Sequence, residues 1–369
     1  MKEAIMGALR LAAKHDARMG NNLNQRVIGE KADVVTQGDI EIGDLITKIL
    51  LTTKDRITVE SEEHGKQTNL IAGEEERYYV AIDDIDGTNN LRVGKGFLPY
   101  CSMIVAFDAS TKGADGYRYS DYSHAACLDY ASGKIFYTEK GLGCVEVYDT
   151  EGEKIADSTE NAQDNKNLAL TLSTDVVSTQ RGGLIGYANK DVSPISILPG
   201  VLDTVYKKFA VVDSGCSVFE YAMVGMGIRN GYVSSGKKQH ELPLLYAFSK
   251  ETGKQMVDFD GIPYDDRVYD FKGGDAEVIA GEPKVIEDVM MAVKIQRKAI
   301  ERVKEMLRGS AVKGPASARM TQQRWAEAKA KVEEEKGEWF LVVEFCRMLR
   351  HESGYKLRKS HCIIKMVVL

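Results

Sequence analysis

Three aspartates within four residues, Asp83, Asp84 and Asp86, precede the turn-forming segment Gly87-Thr88-Asn89-Asn90. In a packed interior, such carboxylates would repel one another and lose their hydration, which costs roughly several kcal/mol per ion. A divalent cation removes that penalty, because magnesium, manganese and calcium prefer oxygen ligands. The backbone N–H groups and the hydroxyl of the segment that follows could hold an anion. The pattern therefore predicts a metal site beside a phosphate site.

Taken alone, this string leaves an ordinary turn open, because Asp, Gly and Asn are common turn residues. An EF-hand is disfavoured, since both its loop spacing and its final glutamate are missing. The choice between turn and metal site depends on the rest of the chain.

Other acidic residues follow or open elements elsewhere in the sequence. Glu62 and Glu63 follow an apolar run, and carboxylates that end neighbouring strands can build a two-metal cluster. Asp39 opens a helix, where its simplest role is that of a capping residue. Glu241 precedes an apolar helix, and its neighbour His240 is expected to be a partly exposed loop residue in preference to a metal ligand.

Hydrophobic periodicity predicts the elements that would position these side chains. Helices are predicted over 3–19, 39–51, 199–208, 217–227 and 241–251. Strands are predicted over 57–60, 78–82, 101–107, 168–172, 183–186 and 231–233, with a meander from 125 to 148. The polar stretch 149–166 is predicted to be a linker or exposed loop. We expect an α/β (α+β) chain with domains at 1–150 and 151–283, and a helical extension at 284–369.

Composition is that of a globular protein, with 369 residues, 43% hydrophobic and 28% charged. The formal charge of -6 gives no reason to expect nucleic-acid binding by the whole chain. The six cysteines lack the spacing of a metal site or a disulfide framework, and no segment has the pattern of a signal peptide or a membrane span. We therefore expect a cytoplasmic protein with reduced thiols.

The extension 284–369 differs from the body in charge. It holds 19 Lys+Arg and 11 Asp+Glu, against 30 and 44 for residues 1–283. Helices are predicted at Val285–Leu307 and Arg319–Lys336. Charged helices that pack on the body or on a partner are favoured over nucleic-acid binding.

In order and spacing, these motifs resemble the inositol monophosphatase-like family of magnesium-dependent, lithium-sensitive phosphatases. The family signature D-P-[IL]-D-G-[ST]-x-N, preceded by a pair of glutamates, is similar to Asp83–Asn90 preceded by Glu62-Glu63. A V-T-x-x-D element matches Val35–Asp39. The second signature, W-D before a helix, is similar to His240-Glu241, and its helix end to Glu251–Lys254. The resemblance covers roughly residues 1–282.

The resemblance implies a layered αβαβα sugar-phosphatase fold and a hydrolase that uses two or three Mg²⁺ ions, with Mn²⁺ as a substitute and Li⁺ or Ca²⁺ as inhibitors. Catalytic roles would belong to Glu62, Asp39 and Thr88. Metal ligands would be Glu62, Glu63, Asp83, the Ile85 carbonyl, Asp86 and Glu241. Phosphate and substrate would be bound by Gly87, Thr88, Asn89, Ser173, Ser217 and Lys238. A homodimer is the expected assembly.

The sequence departs from the family pattern at four positions. Asp84 replaces the proline of the motif, so it would be harmless if it points to solvent and would alter metal affinity if it points inward. Glu241 replaces the usual aspartate, His240 replaces the tryptophan, and Ser234 stands where inositol-specific members have an acid. A phosphorylated sugar such as fructose 1,6-bisphosphate is therefore expected ahead of inositol phosphate and a nucleotide 3'-phosphate. A catalytically weak member that serves for binding or regulation stays open.

Overall fold

The computed structural model describes residues 1–20, 22, 35–161, 171–174, 198–206 and 208–309. Within this part of the chain, eight α-helices are present. They are α1 (Lys2–Met19), α2 (Gln37–Leu51), α3 (Thr88–Gly94), α4 (Ser158–Asn161), α5 (Leu198–Val205), α6 (Ser217–Gly225), α7 (Leu242–Glu251) and α8 (Pro283–Gly309). None of the described helices is long and apolar enough to cross a bilayer.

Thirteen strands lie in the described residues. They are β1 (Ile57–Ser61), β2 (Gly65–Thr68), β3 (Tyr78–Asp86), β4 (Cys101–Asp108), β5 (Tyr122–Asp129), β6 (Lys134–Glu139), β7 (Glu146–Tyr148), β8 (Lys154–Asp157), β9 (Thr171–Thr174), β10 (Ala210–Val212), β11 (Gly231–Lys237), β12 (Gln255–Val257) and β13 (Ala276–Gly281). They form an eight-stranded sheet, in the order β2-β1-β3-β4-β5-β6-β7-β8, and a five-stranded sheet, in the order β10-β9-β11-β13-β12.

The eight-stranded sheet is covered on both faces, and the alternation of its side chains shows how. In β4, Met103 and Val105 point to one core and Ile104 and Ala106 to the other. The second core is completed by α1 and α2, whose apolar residues recur at three- and four-residue intervals, as they must on one face of a helix. The first core contains α6, α7 and the inner face of the five-stranded sheet.

The parallel pair β1–β3 is the element that brings the acidic motifs together. All other neighbours in this sheet are antiparallel, but Ser61 of β1 pairs in parallel with Ile82 of β3. The next residues along the two strands are Glu62 and Asp83. Two carboxylates that are 21 positions apart in sequence therefore become neighbours at one sheet edge.

The described residues fall into two compact units. The first is the described part of Met1–Leu184 and Tyr206–Met290, and it contains both sheets. The second is the described part of Ile185–Val205 and Met291–Leu369, with α5 and the C-terminal part of α8. Within the first unit, helices, sheet, helices and sheet follow one another, which confirms the expected layered α/β fold.

Several sequence predictions need correction. The stretch 149–166 is not only a loop, because Lys154–Asp157 pairs with β7 as an edge strand and Ser158–Asn161 is a short helix. The hairpin strand β2 and the strands β12 and β13 were not expected. The strand predicted over 168–172 is found at Thr171–Thr174. The long helix expected from Val285 to Leu307 is confirmed, whereas 183–186 and Arg319–Lys336 lie outside the described residues.

Candidate active site

Asp83 lies at the centre of a carboxylate cluster in the first core. Among the described residues, donor atoms of Glu62, Asp83 and His240 (the first donor group) lie within 4.8 Å of one another, and those of Asp83, Asp86 and Glu241 (the second donor group) do the same. Asp83 belongs to both groups. The structure thus brings together Glu62, Asp83, Asp86 and Glu241, four of the predicted metal ligands.

Secondary structure holds each of these carboxylates. Asp83 is 3% exposed on β3, and Glu241 is 5% exposed at the residue before α7. Asp86 ends β3, and its Oδ2 accepts a 2.7 Å hydrogen bond from the backbone N–H of Val218 in the first turn of α6. The N-terminal end of α6 carries partial positive charge, which attracts the Asp86 side chain.

The electrostatics of the cluster favour bound cations. Burial, followed by the neighbouring charges of Glu62, Asp86 and Glu241, raises the pKa of Asp83 well above its usual value. Burial also raises the pKa of Glu241, although Lys237 opposes that shift. A divalent ion would relieve the repulsion that these shifts report, so the donor set fits the predicted metal.

Two lysines pair with the same carboxylates. The ammonium of Lys237 is buried against Glu241 and donates a 2.6 Å hydrogen bond to Ser217 Oγ. Lys238 Nζ lies 2.5 Å from Glu62 Oε1. Burial opposes ionisation of Glu62, but His240 and Lys238 outweigh it and lower the pKa of Glu62 to about 2.

Thr88 connects the end of β3 to Asp39. Its Oγ1 is 3.0 Å from Asp39 Oδ1 and 3.0 Å from the Ile85 carbonyl oxygen, so the hydroxyl can donate its proton to either acceptor. Asp39 Oδ2 accepts from both the backbone N–H and the hydroxyl of Thr36, the residue that caps α2. Asp39 is therefore both a helix-capping acid and the partner of Thr88.

The turn after β3 requires glycine. Gly87 has φ of 83°, and a Cβ there would approach Cys216 Cβ to 3.0 Å and the Pro99 carbonyl to 3.1 Å. Gly87 caps α3, the helix that begins with Thr88 and Asn89. The buried Asn90 amide donates to the carbonyl oxygens of Pro99 and Ser214, at 2.8 Å each, and so connects this turn to the segment before α6.

Asp84, in the proline position of the motif, neither points to solvent nor points toward the carboxylate cluster. It is 1% exposed, but side chains alternate along a strand, so it points to the α2 side of the sheet and away from Asp83. Ser61 Oγ donates to it at 2.7 Å and the Glu63 N–H at 3.0 Å. Burial raises the pKa of Asp84 to about 6 despite these hydrogen bonds. Asp84 thus fixes the turn that carries Glu62.

His240 is buried, which corrects the expectation of a partly exposed loop residue. It is 5% exposed and its ring stacks on Phe271, with ring centroids 5.2 Å apart. Its Nε2 lies 3.4 Å from Glu62 Oε2 and 4.0 Å from Asp83 Oδ2.

The remaining predicted site residues are less closely gathered. Glu63 keeps contact with solvent, but partial desolvation by the surrounding protein, followed by the charges of Glu62, Asp39 and Asp84, raises its pKa to about 7. Ser217 is buried beside Lys237, and Ser234 is fully buried. Ser173 lies on β9, and its side chain is outside the described part of the structure.

Two contributions were missed in the sequence. Lys237 was not among the predicted site residues, yet it pairs with Glu241 four positions later, a separation that could have suggested the contact. Ser61 and Gly43 contact Asp84, and these contacts follow from the pairing of β1 with β3 and from the packing of α2 on β3.

Comparisons with known structures agree on the fold. The structure is similar to that of Leishmania major fructose-1,6-bisphosphatase, with a TM-score of 0.61 and 13% identity over 79% of this chain and 92% of that one. It is similar to the Thermotoga maritima IMPase, with a TM-score of 0.55 and 16% identity over 80% of this chain and 97% of that one. An IMPase/NADP phosphatase complexed with Mg²⁺ and phosphate gives a TM-score of 0.52 and 17% identity over 76% and 90% of the two chains. No protein-family model matches the sequence, and no curated protein matches it. The chain therefore has the layered fold of these phosphatase structures.

Proposed function

We propose that this protein is a metal-dependent phosphomonoesterase that hydrolyses a phosphorylated sugar or polyol. The observation that carries the proposal is the pair of donor groups that share Asp83, next to a Thr88 hydroxyl that contacts Asp39. Structures with the same fold include phosphatases, one of them complexed with Mg²⁺ and phosphate. We propose Mg²⁺ as a cofactor on the same grounds.

When bound at these carboxylates, divalent ions supply Lewis-acid activation of water and neutralise charge on the phosphate. Glu62, Asp83, Asp86 and Glu241 would hold them. We propose that Thr88 donates its proton to Asp39 and orients the attacking water by accepting a hydrogen bond from it. We propose that the backbone N–H groups of Thr88 and Asn89, at the start of α3, bind the phosphoryl oxygens.

The proposed substrate class follows from the residues near β11. Ser234 is buried and uncharged, so it offers no carboxylate to the hydroxyl groups of an inositol ring. Lys238 is 44% exposed at the edge of the carboxylate cluster, where its ammonium could contact a second phosphate of a bisphosphate. Fructose 1,6-bisphosphate is therefore proposed ahead of inositol 1-phosphate.

Release of inorganic phosphate tests the proposal. Fructose 1,6-bisphosphate, inositol 1-phosphate and 3'-phosphoadenosine 5'-phosphate should be compared with and without Mg²⁺. Glu241→Ala is expected to lower metal-dependent turnover at least about tenfold, since it removes a ligand of the second donor group. Absence of turnover on all three substrates, in a protein that binds metal, would refute the phosphatase proposal.

A second candidate function is that of a binding protein with weak catalysis. The observation that favours it is that Lys237 and Lys238 already neutralise Glu241 and Glu62. Tight binding of a phosphate ester without turnover would support it. The homodimer, the cytoplasmic location and the domain division at 150 and 283 stay predictions.

A further inference from the structure

The Nε2 atom of His240 is buried and has only long ion-pair contacts, the shorter one 3.4 Å to Glu62 Oε2, where a buried polar atom needs a closer partner. Its Nε2 is shielded from solvent and makes no hydrogen bond to any described residue. A buried polar atom left without a partner is unfavourable, because it has lost its hydrogen bonds to water. The ring is nevertheless held in a single orientation by stacking on Phe271, at an interplanar angle of 25°.

The nitrogen faces the two carboxylates of the first donor group. Glu62 has one oxygen on Lys238 and the other 3.4 Å from His240 Nε2, and Asp83 Oδ2 lies 4.0 Å from the same nitrogen. Two donors that each lie about 2.1 Å from one ion are roughly 3.4 Å apart at a tetrahedral angle. The Glu62 to His240 separation has this value, and a small rotation of Asp83 would bring its oxygen to the same distance.

We propose that Glu62, Asp83 and His240 form a divalent-cation site with mixed nitrogen and oxygen donors, which selects first-row transition ions such as Mn²⁺, Co²⁺ or Zn²⁺ over Mg²⁺ and Ca²⁺. Imidazole nitrogen favours transition ions, whereas a set made only of oxygen atoms suits Mg²⁺ and Ca²⁺. The neighbouring group of Asp83, Asp86 and Glu241 has oxygen donors only. The two positions therefore differ in their metal preference, and Asp83 bridges them.

This inference concerns the site of the proposed function and rests on it for the role of the ion, but the site itself is tested by binding. The probe is Mn²⁺ added to the tag-free, metal-free full chain, observed by pulsed electron paramagnetic resonance, which detects nitrogen coordinated to the ion. Nitrogen coupling is expected in the wild-type protein. It should be lost in His240→Phe, which keeps a ring on Phe271 and removes the donor, and in His240→Gln.

His124→Phe is the matched control, because His124 is also ring-stacked and is partly buried, but it lies outside both donor groups. This variant should keep the nitrogen coupling. Calorimetric titrations complete the test, since the ratio of Co²⁺ to Mg²⁺ affinity should fall at least about tenfold in His240→Phe and stay unchanged in the control.

Bound Mn²⁺ without nitrogen coupling in the wild-type protein would overturn the proposal, and this result needs no variant to fold. Coupling that survives in His240→Phe would overturn it as well, since another nitrogen would then be the ligand. Phosphate release with Mg²⁺ is measured separately. Turnover without nitrogen coupling would leave the proposed function standing and reject only the mixed-donor site.

Discussion

The contact between Gly43 and Asp84 leads to a prediction whose size can be worked from the structure. Gly43 lies in the middle of α2, where alanine is ordinarily favoured over glycine by about 1 kcal/mol. A Cβ at this position would lie 2.3 Å from Asp84 Oδ1 and 2.9 Å from His64 Cδ2. We therefore expect Gly43→Ala to destabilise the protein, against the ordinary preference of a helix.

The size of this destabilisation follows from the hydrogen bonds that Asp84 would lose. To make room, its carboxylate has to move by about 1 Å, which breaks at least one of the charge-assisted hydrogen bonds from Ser61 and the Glu63 N–H, worth about 1.5–3 kcal/mol each. Overpacking adds about 1–3 kcal/mol. After the helix preference of about 1 kcal/mol is subtracted, the free energy of unfolding should fall by about 1.5–5 kcal/mol.

Urea denaturation followed by circular dichroism measures this change. Circular dichroism is preferred to tryptophan fluorescence because both tryptophans, Trp325 and Trp339, belong to the C-terminal extension. The matched control is Gly7→Ala in α1, where a Cβ would meet nothing within 4 Å. That variant should gain up to about 1 kcal/mol of stability.

A double-mutant cycle identifies the cause. In an Asp84→Ala background, Gly43→Ala should cost at least about 1 kcal/mol less than in the wild type, because most of the close contact is gone. Gly43→Ala that stabilises the protein as Gly7→Ala does, or that costs the same in both backgrounds, would show that Asp84 does not pack on α2 as described.

Three further predictions concern other parts of the structure. Thr88→Val should lower the rate of phosphate release about 100-fold or more, because no hydroxyl is left to orient water. Thr88→Ser keeps the hydroxyl and should stay within about tenfold of the wild-type rate. Equal rates for the two variants would exclude the proposed role. Glu251→Gln should lower the free energy of unfolding, measured by urea denaturation, by about 1–3 kcal/mol. The reason is that the Glu251 carboxylate accepts hydrogen bonds from the N–H groups of Gly141 and Gly143, at 2.9 and 2.8 Å. An unchanged urea midpoint of unfolding would count against these bonds. Burial and the positive N-terminus lower the pKa of His124, although Glu139 opposes them. Below about pH 6.5 the unfolded chain therefore binds a proton at His124 more readily than the folded protein does. The free energy of unfolding then falls as the pH falls. The melting temperature of His124→Phe should therefore decline less than that of wild type between pH 6.5 and 5, and parallel curves would contradict this assignment.

The sequence predicted the location of the site better than the direction of its side chains. The run Tyr78–Ile82 correctly predicted a strand, but the strand continues through the aspartates to Asp86. However, β3 is buried on both faces, so its composition shows no alternation from which the orientation of Asp84 could be predicted. The packing of α2 on the sheet shows which face Asp84 occupies, because it brings Gly43 against the Asp84 carboxylate.

Other misses have similar physical causes. The strand Lys154–Asp157 lies at a sheet edge and is only half covered, so it carries polar residues and looks like a loop in the sequence. His240 is buried because Phe271, 31 positions away in sequence, stacks on it. Contacts of this range leave no local pattern. Helices α1, α2 and α7 were predictable because each buries one regular apolar stripe or a continuous apolar run.

The parallel register of β1 and β3 has a practical consequence for engineering the chain. Glu62 and Asp83 are neighbours because Ser61 pairs with Ile82, so the spacing of these carboxylates is independent of the length of the connecting segment. That segment passes through β2 and then residues 71–75, all of which are exposed. Gly73 is therefore the point at which this chain can accept an inserted epitope or fluorescent reporter while the distance between the two carboxylates is preserved.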